Sequence, residues 1–544
     1  MAAIPIEPKP IFAPQNVLRM PEPIEYLIRQ NRLKEIPGVG EAIAGVITEI
    51  VRTGTHPSLE KMRADVPASV LEMLSLPGLR PDKIMKLHKE LGIDSLAELE
   101  AATKQDRLRG VKGFGVALQR KILAGIEAKQ DLQSARHLHR AEELLNSAKA
   151  SLQKSEFGLK HIQIAGDFRR GSELVSDLAL VAEQTGAKTS RLKFGDLSVH
   201  VATRKRLGAA LLFATGSDAH LEQLQKLAAK KGFELAPDGL YRDGKLLASR
   251  TEQEIYQALG LDFIEPELRE GRGEIALSQR KRLPRLVQSS DIVGILHAHT
   301  TASDGVSTLR QMAEAARKRG YAYFGVADHS KSAHYAGGLS LEELAEQHAE
   351  IDVLNRDYGD DFRIFKGIES DILPDGSLDY PDAVLKTFDF VVASVHGQFR
   401  KDRETQTDRI LRAVANPHTT ILGHMTGRQL LRRPGYEVDI ERILGACAER
   451  GVAVEINANP WRLDLDWRWH QTALALGCMF SINPDAHSTA EIDLVKWGVT
   501  IARKGGVPAE RVINALDLPS FRAYLAARTK CNGFQTGGSK MELD

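Results

Sequence analysis

The sequence is poor in cysteine, in net charge and in long apolar stretches. Its 544 residues include three cysteines, Cys447, Cys478 and Cys531, with no pairing pattern, so we expect free thiols in a reducing compartment. The formal net charge is +1, so contacts with nucleic acid would have to come from local basic patches. No run of ~18 apolar residues predicts a membrane span, and the first residues lack the pattern of a signal peptide. These absences predict a cytoplasmic protein with no membrane contact.

Three glycine-containing turns, each followed by an amphipathic helix, occur in the first 130 residues. They lie in IPGVGEAIAGVITEI (36–50), LPGLRPDKIMKL (76–87) and VKGFGVALQRKIL (111–123). A glycine turn beside a helix N-terminus offers backbone amides to a phosphate without recognising bases. A single copy would fit ordinary helix packing equally well, whereas three copies favour DNA binding and resemble the helix-hairpin-helix motif of DNA-repair proteins. The candidate DNA-contact residues are Gly38, Gly40, Gly78, Gly113 and Gly115.

After a mixed α+β region, a stretch rich in charge and proline near Ile264–Ser290 predicts an exposed connector. Beyond it the pattern becomes regular. Seven short apolar runs alternate with helical segments: IVGIL, YFGVA, RIFKGI, FVVASV, TTILG, VAVEI and MFSIN. Strand–helix alternation predicts a parallel sheet, and seven repeats favour a closed or nearly closed barrel.

Each of these apolar runs leads to an imidazole or a carboxylate. In chain order these are His297-Ala-His299 with Asp304, Asp328-His329, Glu369, His396, His424, Glu455 and Asp485-Ala-His487. The C-terminal ends of barrel strands meet on one face, so we expect these side chains to gather there. About six histidines and three carboxylates exceed the ~4 ligands of one zinc ion and suit two or three divalent ions of zinc, manganese or iron. Such a site activates water and clamps a phosphate, which predicts a phosphoester hydrolase with Glu455 orienting the ligands from behind.

The C-terminal half resembles the PHP domain (polymerase and histidinol phosphatase family). HAHTTASDG, ADHS, KGIESDILPDGSLDY, SVHGQF, GHMTGR, EINANPWRLDLDW and INPDAHS occur in the family's order. The resemblance implies a distorted (β/α)7 barrel, usually with a trinuclear site. It implies metal positions at His297, His299, Asp304, His329, Glu369, His396, His424, Asp485 and His487. Of these, His297, His299, Glu369, Asp485 and His487 are the expected catalytic residues.

The whole chain resembles the bacterial family X DNA polymerases with a C-terminal PHP domain, through the order of the hairpins, GDFRRGSELVSD, ATGS and GRGEI. Two-metal nucleotidyl transfer needs three carboxylates. The family's positions are Asp177, Ala179 and Ser198 here, so Asp177 alone remains, and Asp196 lies two residues from the third position. This departure argues against a magnesium site and predicts a polymerase-like module kept for DNA binding.

A second departure lies in the family's glycine-serine phosphate motif, where Gly166 is followed by Asp167. A carboxylate at a triphosphate-binding turn repels the nucleotide. Arg169 and Arg170 remain and are candidate DNA-phosphate ligands.

The leading hypothesis is a metal-dependent DNA phosphoesterase in DNA repair. The resemblance implies 3'–5' exonuclease, 3'-phosphatase and abasic-site incision activities. Lys366, Arg428 and Arg462 are candidate clamps for the substrate phosphate. The expected partner is gapped, nicked or 3'-ended DNA in the bacterial nucleoid, bound through its backbone, and the oligomeric state is open, a monomer being compatible. The alternatives are an active gap-filling polymerase with an attached exonuclease, a non-catalytic DNA end-binding scaffold, and a small-molecule phosphatase.

The expected fold is multidomain, since roughly 150 residues per domain predicts three or four domains. It comprises a helical helix-hairpin-helix region, an α+β nucleotidyltransferase-like palm and thumb, and the C-terminal barrel. The expected limits are 1–65 for a shortened 8 kDa-like region, 66–130 for fingers, 131–220 for the palm, 221–270 for the thumb, 271–290 for a linker, 291–525 for the PHP domain and 526–544 for a flexible tail.

Overall fold

The computed structural model describes residues 135–186 and 190–533 and, before them, residues 28, 32–35, 39–53, 70, 73, 76, 79–111, 113–116, 118–123 and 126. The chain forms two compact units, Met1–Ser134 and Ala135–Asp544, which we describe separately. The candidate residues Gly38 and Gly78, and residues 534–544 of the expected tail, lie outside the described residues.

The first unit is helical, as its amphipathic spacing predicts. Helix α1 spans Glu41–Thr53, α2 spans Pro81–Leu91 and α3 spans Leu96–Lys104. Proline begins α2, where its missing amide hydrogen costs nothing, and Gly92 ends it with a φ of 62°. The buried core of this unit includes Leu76, Leu79, Leu87, Leu99, Leu108 and Phe114.

Gly113 and Gly115 form the turn before helical residues 118–123. Gly113 has a φ of +103°, which residues with a side chain rarely adopt. The carbonyl oxygen of Gly115 accepts from the amide of Leu118 at 2.9 Å, so the helix begins there. Among the described atoms, none lies within 4 Å of the position that a Cβ would take at Gly40, Gly113 or Gly115. These turns therefore leave open space in front of a helix N-terminus.

The second unit begins with the palm, which contains a four-stranded mixed sheet and a two-stranded sheet. Its elements are β1 (Arg136–His137), α4 (Leu138–Lys154), β2 (Lys160–Ala165), α5 (Gly166–Arg169), β3 (Leu174–Val175), β4 (Leu178–Glu183), β5 (Ser190–Phe194) and β6 (Leu197–Ala202). Strands β1 and β3 form the two-stranded sheet. The order of the four-stranded sheet is β2-β4-β6-β5, with β4 and β6 parallel and both outer pairs antiparallel. The central strand β4 is buried on both faces, which explains its nearly continuous apolar sequence LALVAE.

The thumb follows, with its own small core. It contains α6 (Leu207–Thr215), α7 (Asp218–Lys230), β7 (Glu234–Ala236), β8 (Gly239–Arg242), β9 (Lys245–Ala248), α8 (Glu252–Ala258) and α9 (Glu274–Gln279). The segment 264–290 was expected to be an exposed connector, but Leu268, Ile275 and Leu286 from it are buried in this core. The charge of Arg269 in this segment is neutralised by Glu252, so the segment can be buried despite its composition.

The remaining residues form a barrel. Its strands are β10 (Gly294–Ile295), β11 (Tyr323–Val326), β12 (Arg363–Asp371), β13 (Phe390–Ser394), β14 (Ile421–Leu422), β15 (Ala453–Asn457) and β16 (Phe480–Asn483). Sheet order follows chain order, and all neighbours are parallel. A bridge between Ala298 and Ala486 joins the segments that follow β10 and β16, so the barrel is nearly closed. The predicted multidomain fold class, with its seven-stranded barrel, is confirmed.

Helices connect the strands of the barrel. They are α10 (Leu309–Lys318), α11 (Leu341–Tyr358), α12 (Asp382–Leu385), α13 (Arg403–Ala415), α14 (Ile440–Arg450), α15 (His470–Leu476) and α16 (Val495–Lys504). The side chains of Thr308, Ser340 and Asp402 cap α10, α11 and α13 by accepting backbone hydrogen bonds. A final helix, α17 (Leu518–Gly533), extends into the expected tail. Cys447 and Cys478 are buried free thiols. Among the described residues, no helix is long and apolar enough to cross a membrane.

Candidate metal centre

The nine side chains predicted as metal ligands converge at the C-terminal ends of the barrel strands. His297 and His299 follow β10, His329 follows β11, Glu369 lies in β12, His396 follows β13, His424 follows β14, Asp485 and His487 follow β16, and Asp304 lies in the segment after β10. The parallel strands place these segments at one mouth, as the alternation of strands and helices predicts.

Glu369 lies at the centre of the cluster. Its Oε1 is 2.9 Å from His424 Nε2, 3.3 Å from His396 Nε2 and 3.4 Å from His297 Nε2. Its Oε2 is 3.0 Å from His329 Nδ1. His299 Nε2 lies 3.7 Å from the same Oε2. One buried carboxylate therefore faces five imidazoles, an arrangement that suits a carboxylate shared between neighbouring ions.

Two further carboxylates, Asp485 and Asp304, face imidazoles of the same cluster. Asp485 Oδ1 is 3.2 Å from His299 Nε2 and 3.6 Å from His297 Nε2. Asp304 Oδ1 is 3.3 Å from His487 Nε2 and 3.6 Å from His299 Nδ1. His299 thus contacts both carboxylates through its two ring nitrogens.

Three overlapping groups of ligand atoms lie close enough together to hold a divalent ion, with all atoms of a group within 4.8 Å of one another. They are His299–Asp304–His329–His487, His297–His299–Asp485 and His329–Glu369–His396. His299 and His329 each belong to two groups, so neighbouring ions would share ligands.

Five imidazole nitrogens of this cluster are buried without a hydrogen bond. Among the described residues, His297 Nε2, both ring nitrogens of His299, His329 Nδ1 and His424 Nδ1 are buried and have no hydrogen-bond partner. A buried polar atom without a partner costs about 1–3 kcal/mol. Coordination of a metal ion would supply a partner for such nitrogens, so these residues fit divalent ions.

The charges in the cluster shift the pKa values of its members. Burial alone would raise the pKa of Glu369, but the imidazoles of His396, His297 and His329 hold it well below its usual range. Burial alone would lower the pKa of His396, but Glu369 and Asp371 raise it to about 10. An arriving cation would therefore have to displace protons from the ion-free cluster.

Glu455 of β15 supports the ligands from behind, the role expected from the sequence. Its Oε1 accepts from His297 Nδ1 at 2.6 Å and from the side-chain amide of Asn483 at 2.9 Å. Its Oε2 accepts from the His424 backbone amide at 2.7 Å and from the side chain of Asn457 at 3.2 Å. These bonds fix the ring of His297 so that its Nε2 points into the cluster.

Asp371 has a similar position behind His396, which the sequence motifs did not predict. Its Oδ1 lies 2.6 Å from His396 Nδ1, and its Oδ2 accepts from Ser332 at 3.1 Å. Asp371 is two residues after Glu369 on the same strand, and side chains at this spacing share a face. That alternation is the signal that could have found it.

Of the three candidate phosphate clamps, Arg462 lies at the cluster. Its Nε is 3.6 Å from Asp485 Oδ2, and its side chain is 20% exposed. Asp485 itself has a φ of 53°, an uncommon backbone conformation for a residue other than glycine. Arg462 therefore places a positive charge beside a ligand carboxylate, at a point that solvent reaches.

Lys366 and Arg428 are paired elsewhere. Lys366 Nζ lies 2.8 Å from Asp352 of α11. Arg428 is 89% covered and contacts Glu173 of the palm at 2.8 Å and Asp466 at 2.9 Å. Because carboxylates distant in sequence already neutralise both cations, these contacts argue against the predicted phosphate-binding roles.

Arg169 and Arg170 are likewise engaged within the palm and thumb. Arg169 donates two hydrogen bonds to Glu252, at 2.8 Å and 2.7 Å. Arg170 donates to Glu270 at 3.1 Å, and it also pairs with Asp167. Their side chains are 21% and 15% exposed. Because both arginines are already paired with carboxylates, these contacts do not support the predicted binding of DNA phosphate. The sequence alone could not show these partners.

The positions that correspond to the polymerase site contain one carboxylate, Asp177, and the guanidinium of Arg191 beside it. Ala179 and Ser198 are directly paired on the parallel strands β4 and β6. Arg191 of β5 donates to Ser198 Oγ at 2.7 Å and lies 3.5 Å from Asp177 Oδ1. The guanidinium lies beside the remaining carboxylate, where it opposes binding of a divalent cation.

Asp196 and Asp167 do not restore that site. Asp196 lies in the turn before β6, where its side chain is 69% exposed and pairs with Arg136. Asp167 Oδ2 accepts from the backbone amides of Ser176 and Asp177, both at 3.0 Å. A carboxylate thus uses amides that could otherwise bind a phosphate.

Three regions of the chain match known families. Residues 70–128 match the SAM-like helix-hairpin-helix tandem, residues 210–270 the DNA polymerase beta thumb, and residues 296–459 the PHP domain. The fold and these matches define a protein in which a polymerase-beta-like module is joined to a PHP barrel. PHP domains are metal-dependent, in agreement with the clustered ligands.

The chain is 34% identical over 527 residues to "DNA polymerase/3'-5' exonuclease PolX" of Bacillus subtilis (strain 168), and the match covers 92% of each chain. It belongs to the bacterial family X DNA polymerases with a C-terminal PHP domain, as its motifs predict. The barrel is also similar to smaller proteins. A "probable phosphatase" of Thermoanaerobacter sp. (strain X514) is 26% identical over 249 residues, 43% of this chain and 94% of that protein. Another, of Vibrio atlanticus (strain LGP32), is 30% identical over 243 residues, 43% and 92% of the two chains.

Proposed function

We propose that this protein is a metal-dependent DNA phosphoesterase that acts in DNA repair as a 3'–5' exonuclease, 3'-phosphatase or abasic-site endonuclease. The observation that carries the proposal is the convergence of nine ligand-type side chains in one cluster, with Arg462 beside Asp485. The name of the Bacillus subtilis relative includes a 3'–5' exonuclease, and two relatives of the barrel alone are named as probable phosphatases.

The ligand set suits two or three ions of zinc, manganese or iron, because it mixes imidazole nitrogens with carboxylate oxygens. The nine residues would hold them: His297, His299, Asp304, His329, Glu369, His396, His424, Asp485 and His487. When bound, such ions supply Lewis-acid chemistry and activate water for attack on a phosphoester.

The protein's own side chains bind and orient the substrate. Arg462 supplies the positive charge that holds a phosphate oxygen, since its guanidinium is partly exposed beside the cluster. Glu455 and Asp371 keep the rings of His297 and His396 in fixed orientations.

The polymerase-like module binds DNA and does not synthesise it. Two of its three carboxylate positions are Ala179 and Ser198, and Arg191 lies beside the third, Asp177. Gly40, Gly113 and Gly115 leave open turns in front of helices, which suit backbone phosphates of gapped, nicked or 3'-ended DNA. We also propose the domain limits given above from the sequence for this module and for the barrel.

The test uses the full-length protein, a 3'-labelled oligonucleotide and manganese, zinc or iron at measured occupancy. We expect stepwise loss of nucleotides from the 3' end, with parallel assays on a 3'-phosphorylated end and on an abasic site. His299→Ala should abolish hydrolysis, because it removes ligand atoms from two of the three groups. Asp352→Asn, whose side chain is 51% exposed on α11, is the matched control and should retain activity. Absence of hydrolysis with every ion would refute the proposal.

Two measurements separate the remaining alternatives. A small-molecule phosphatase would not bind DNA in a salt-sensitive manner. A protein that binds the phosphate backbone of DNA loses its affinity for DNA steeply as the salt concentration rises. A working polymerase would incorporate nucleotides on a gapped template and lose that activity on Asp177→Ala. We expect salt-sensitive DNA binding and no templated incorporation.

A further inference from the structure

Tyr335 is an exposed aromatic residue beside the buried cluster. It is 62% exposed. Its ring centroid lies 6.1 Å from that of His329 and 6.3 Å from that of His396. A single exposed aromatic residue is common on protein surfaces, so its position and support have to carry any functional argument.

The turn that carries Tyr335 is fixed to the metal-binding segment. The amide of Leu339 donates to the carbonyl oxygen of His329 at 2.9 Å. Gly338 passes so close to this segment that a Cβ there would lie 1.9 Å from the carbonyl oxygen of Ser330. The backbone of this turn is therefore held at a set place relative to the ligands, and most of the Tyr335 residue is exposed there.

The depth of the cluster determines which part of a nucleotide lies near this ring. The side chains of His297, His299 and Glu369 are at most 1% exposed, whereas those of Asp304 and His487 are 35% and 32% exposed. A phosphodiester that reaches the recessed ligands leaves its sugar and base at the rim. Tyr335 lies at this rim.

We propose that Tyr335 stacks on the nucleobase of the nucleotide whose phosphoester is bound in the cluster. The inference rests on the proposed function and adds the group that distinguishes nucleotide substrates from simple phosphate esters. Every base has an aromatic face, so such stacking favours a nucleic-acid end without selecting a sequence. Loss of one base–aromatic stack weakens binding between about 5-fold and about 150-fold.

The kinetic test compares two 3' ends, one with an ordinary terminal nucleotide and one with a terminal tetrahydrofuran that lacks a base. Tyr335→Ala should raise KM for the base-bearing end about tenfold and leave KM for the baseless end unchanged. Tyr335→Phe keeps the ring and should behave like the wild type. Leu476→Ala is the control, because Leu476 is also an exposed apolar residue, at 40%, but ends α15 on the side where β16 begins, away from the mouth.

A binding measurement that does not depend on turnover completes the test. An oligonucleotide with 2-aminopurine at its 3' terminus and a hydrolysis-resistant phosphorothioate linkage should lose fluorescence when the base stacks on Tyr335. The quenching should disappear in Tyr335→Ala and return in Tyr335→Phe. An equal rise in KM for both ends, or unchanged quenching in Tyr335→Ala, would overturn the inference while the hydrolase proposal stands. Failure of the wild type to hydrolyse either end would overturn the hydrolase proposal first.

Discussion

Replacement of Glu455 by glutamine tests whether the metal ligands depend on the carboxylate behind them. The substitution keeps the shape of the side chain but turns one acceptor oxygen into a donor. Oε1 accepts from His297 and Asn483, and Oε2 accepts from the His424 amide and Asn457. In either orientation of the new amide, its NH2 group faces donors and leaves them unsatisfied.

The expected loss is about 10- to 100-fold in metal affinity or hydrolytic rate, or about 1.4 to 2.7 kcal/mol, which is typical when a ligand-orienting carboxylate is lost. The free energy of unfolding should also fall, by about 1–3 kcal/mol, because a buried donor loses its partner.

Metal affinity can be measured by isothermal titration of the ion-free protein, and activity on a 3'-labelled end at limiting and saturating metal. Asp352→Asn is the control, since its exposed pair with Lys366 is worth about 0–1 kcal/mol and lies outside the cluster. If Glu455→Gln binds metal and hydrolyses DNA as the wild type does, the ligands are positioned by the barrel alone and the reasoning fails.

Three further predictions follow from charge pairing. Arg191→Ala combined with Ala179→Asp and Ser198→Asp should create a magnesium site on the palm, whereas the two aspartates alone should bind magnesium more weakly; calorimetry showing no binding by the triple variant would contradict this. Glu252→Gln should destabilise the protein by about 3–5 kcal/mol in urea unfolding, because two guanidiniums lose their partner. The pKa of Glu252 is lowered to about 2, so its stabilisation is complete above its unfolded value and is lost as pH falls toward 2. Because the pKa of His396 is raised to about 10 in the ion-free cluster, displacing its proton should weaken metal binding about tenfold for each unit that pH falls below that value; pH-independent titrations would refute this.

The fold of the barrel and the composition of its site follow from local patterns. Apolar runs that alternate with helical segments specify parallel strands, and parallel strands place their C-terminal ends together. His297, Glu369 and Asp485 could therefore be placed in one cluster without coordinates, because each lies within two residues of the end of such a run. Asp371 lies two residues after Glu369 on the same strand, so the alternation of side chains between the two faces of a strand would have predicted its position.

The roles of the basic residues could not be predicted in this way. Lys366, Arg428 and Arg462 look alike in sequence, yet the first two pair with Asp352 and with Glu173. The charge that neutralises a cation can come from residues far along the chain, and no local pattern records that contact. Ala179 and Ser198 occupy two positions where the family has polymerase carboxylates, so that loss could be read from the sequence. Only the tertiary structure places Arg191 beside the remaining Asp177.

By itself, the sequence determined the class of chemistry, because imidazoles and carboxylates at the ends of barrel strands have few other uses. The tertiary structure decided which side-chain charges remain available to a substrate. A cation that is buried and paired with a carboxylate from a distant segment cannot contact a substrate without losing that pairing. Arg462 is therefore partly exposed at the mouth, whereas Arg169, Arg170 and Arg428 are paired with carboxylates inside the unit. The tertiary structure also decided that Tyr335 is exposed beside the cluster.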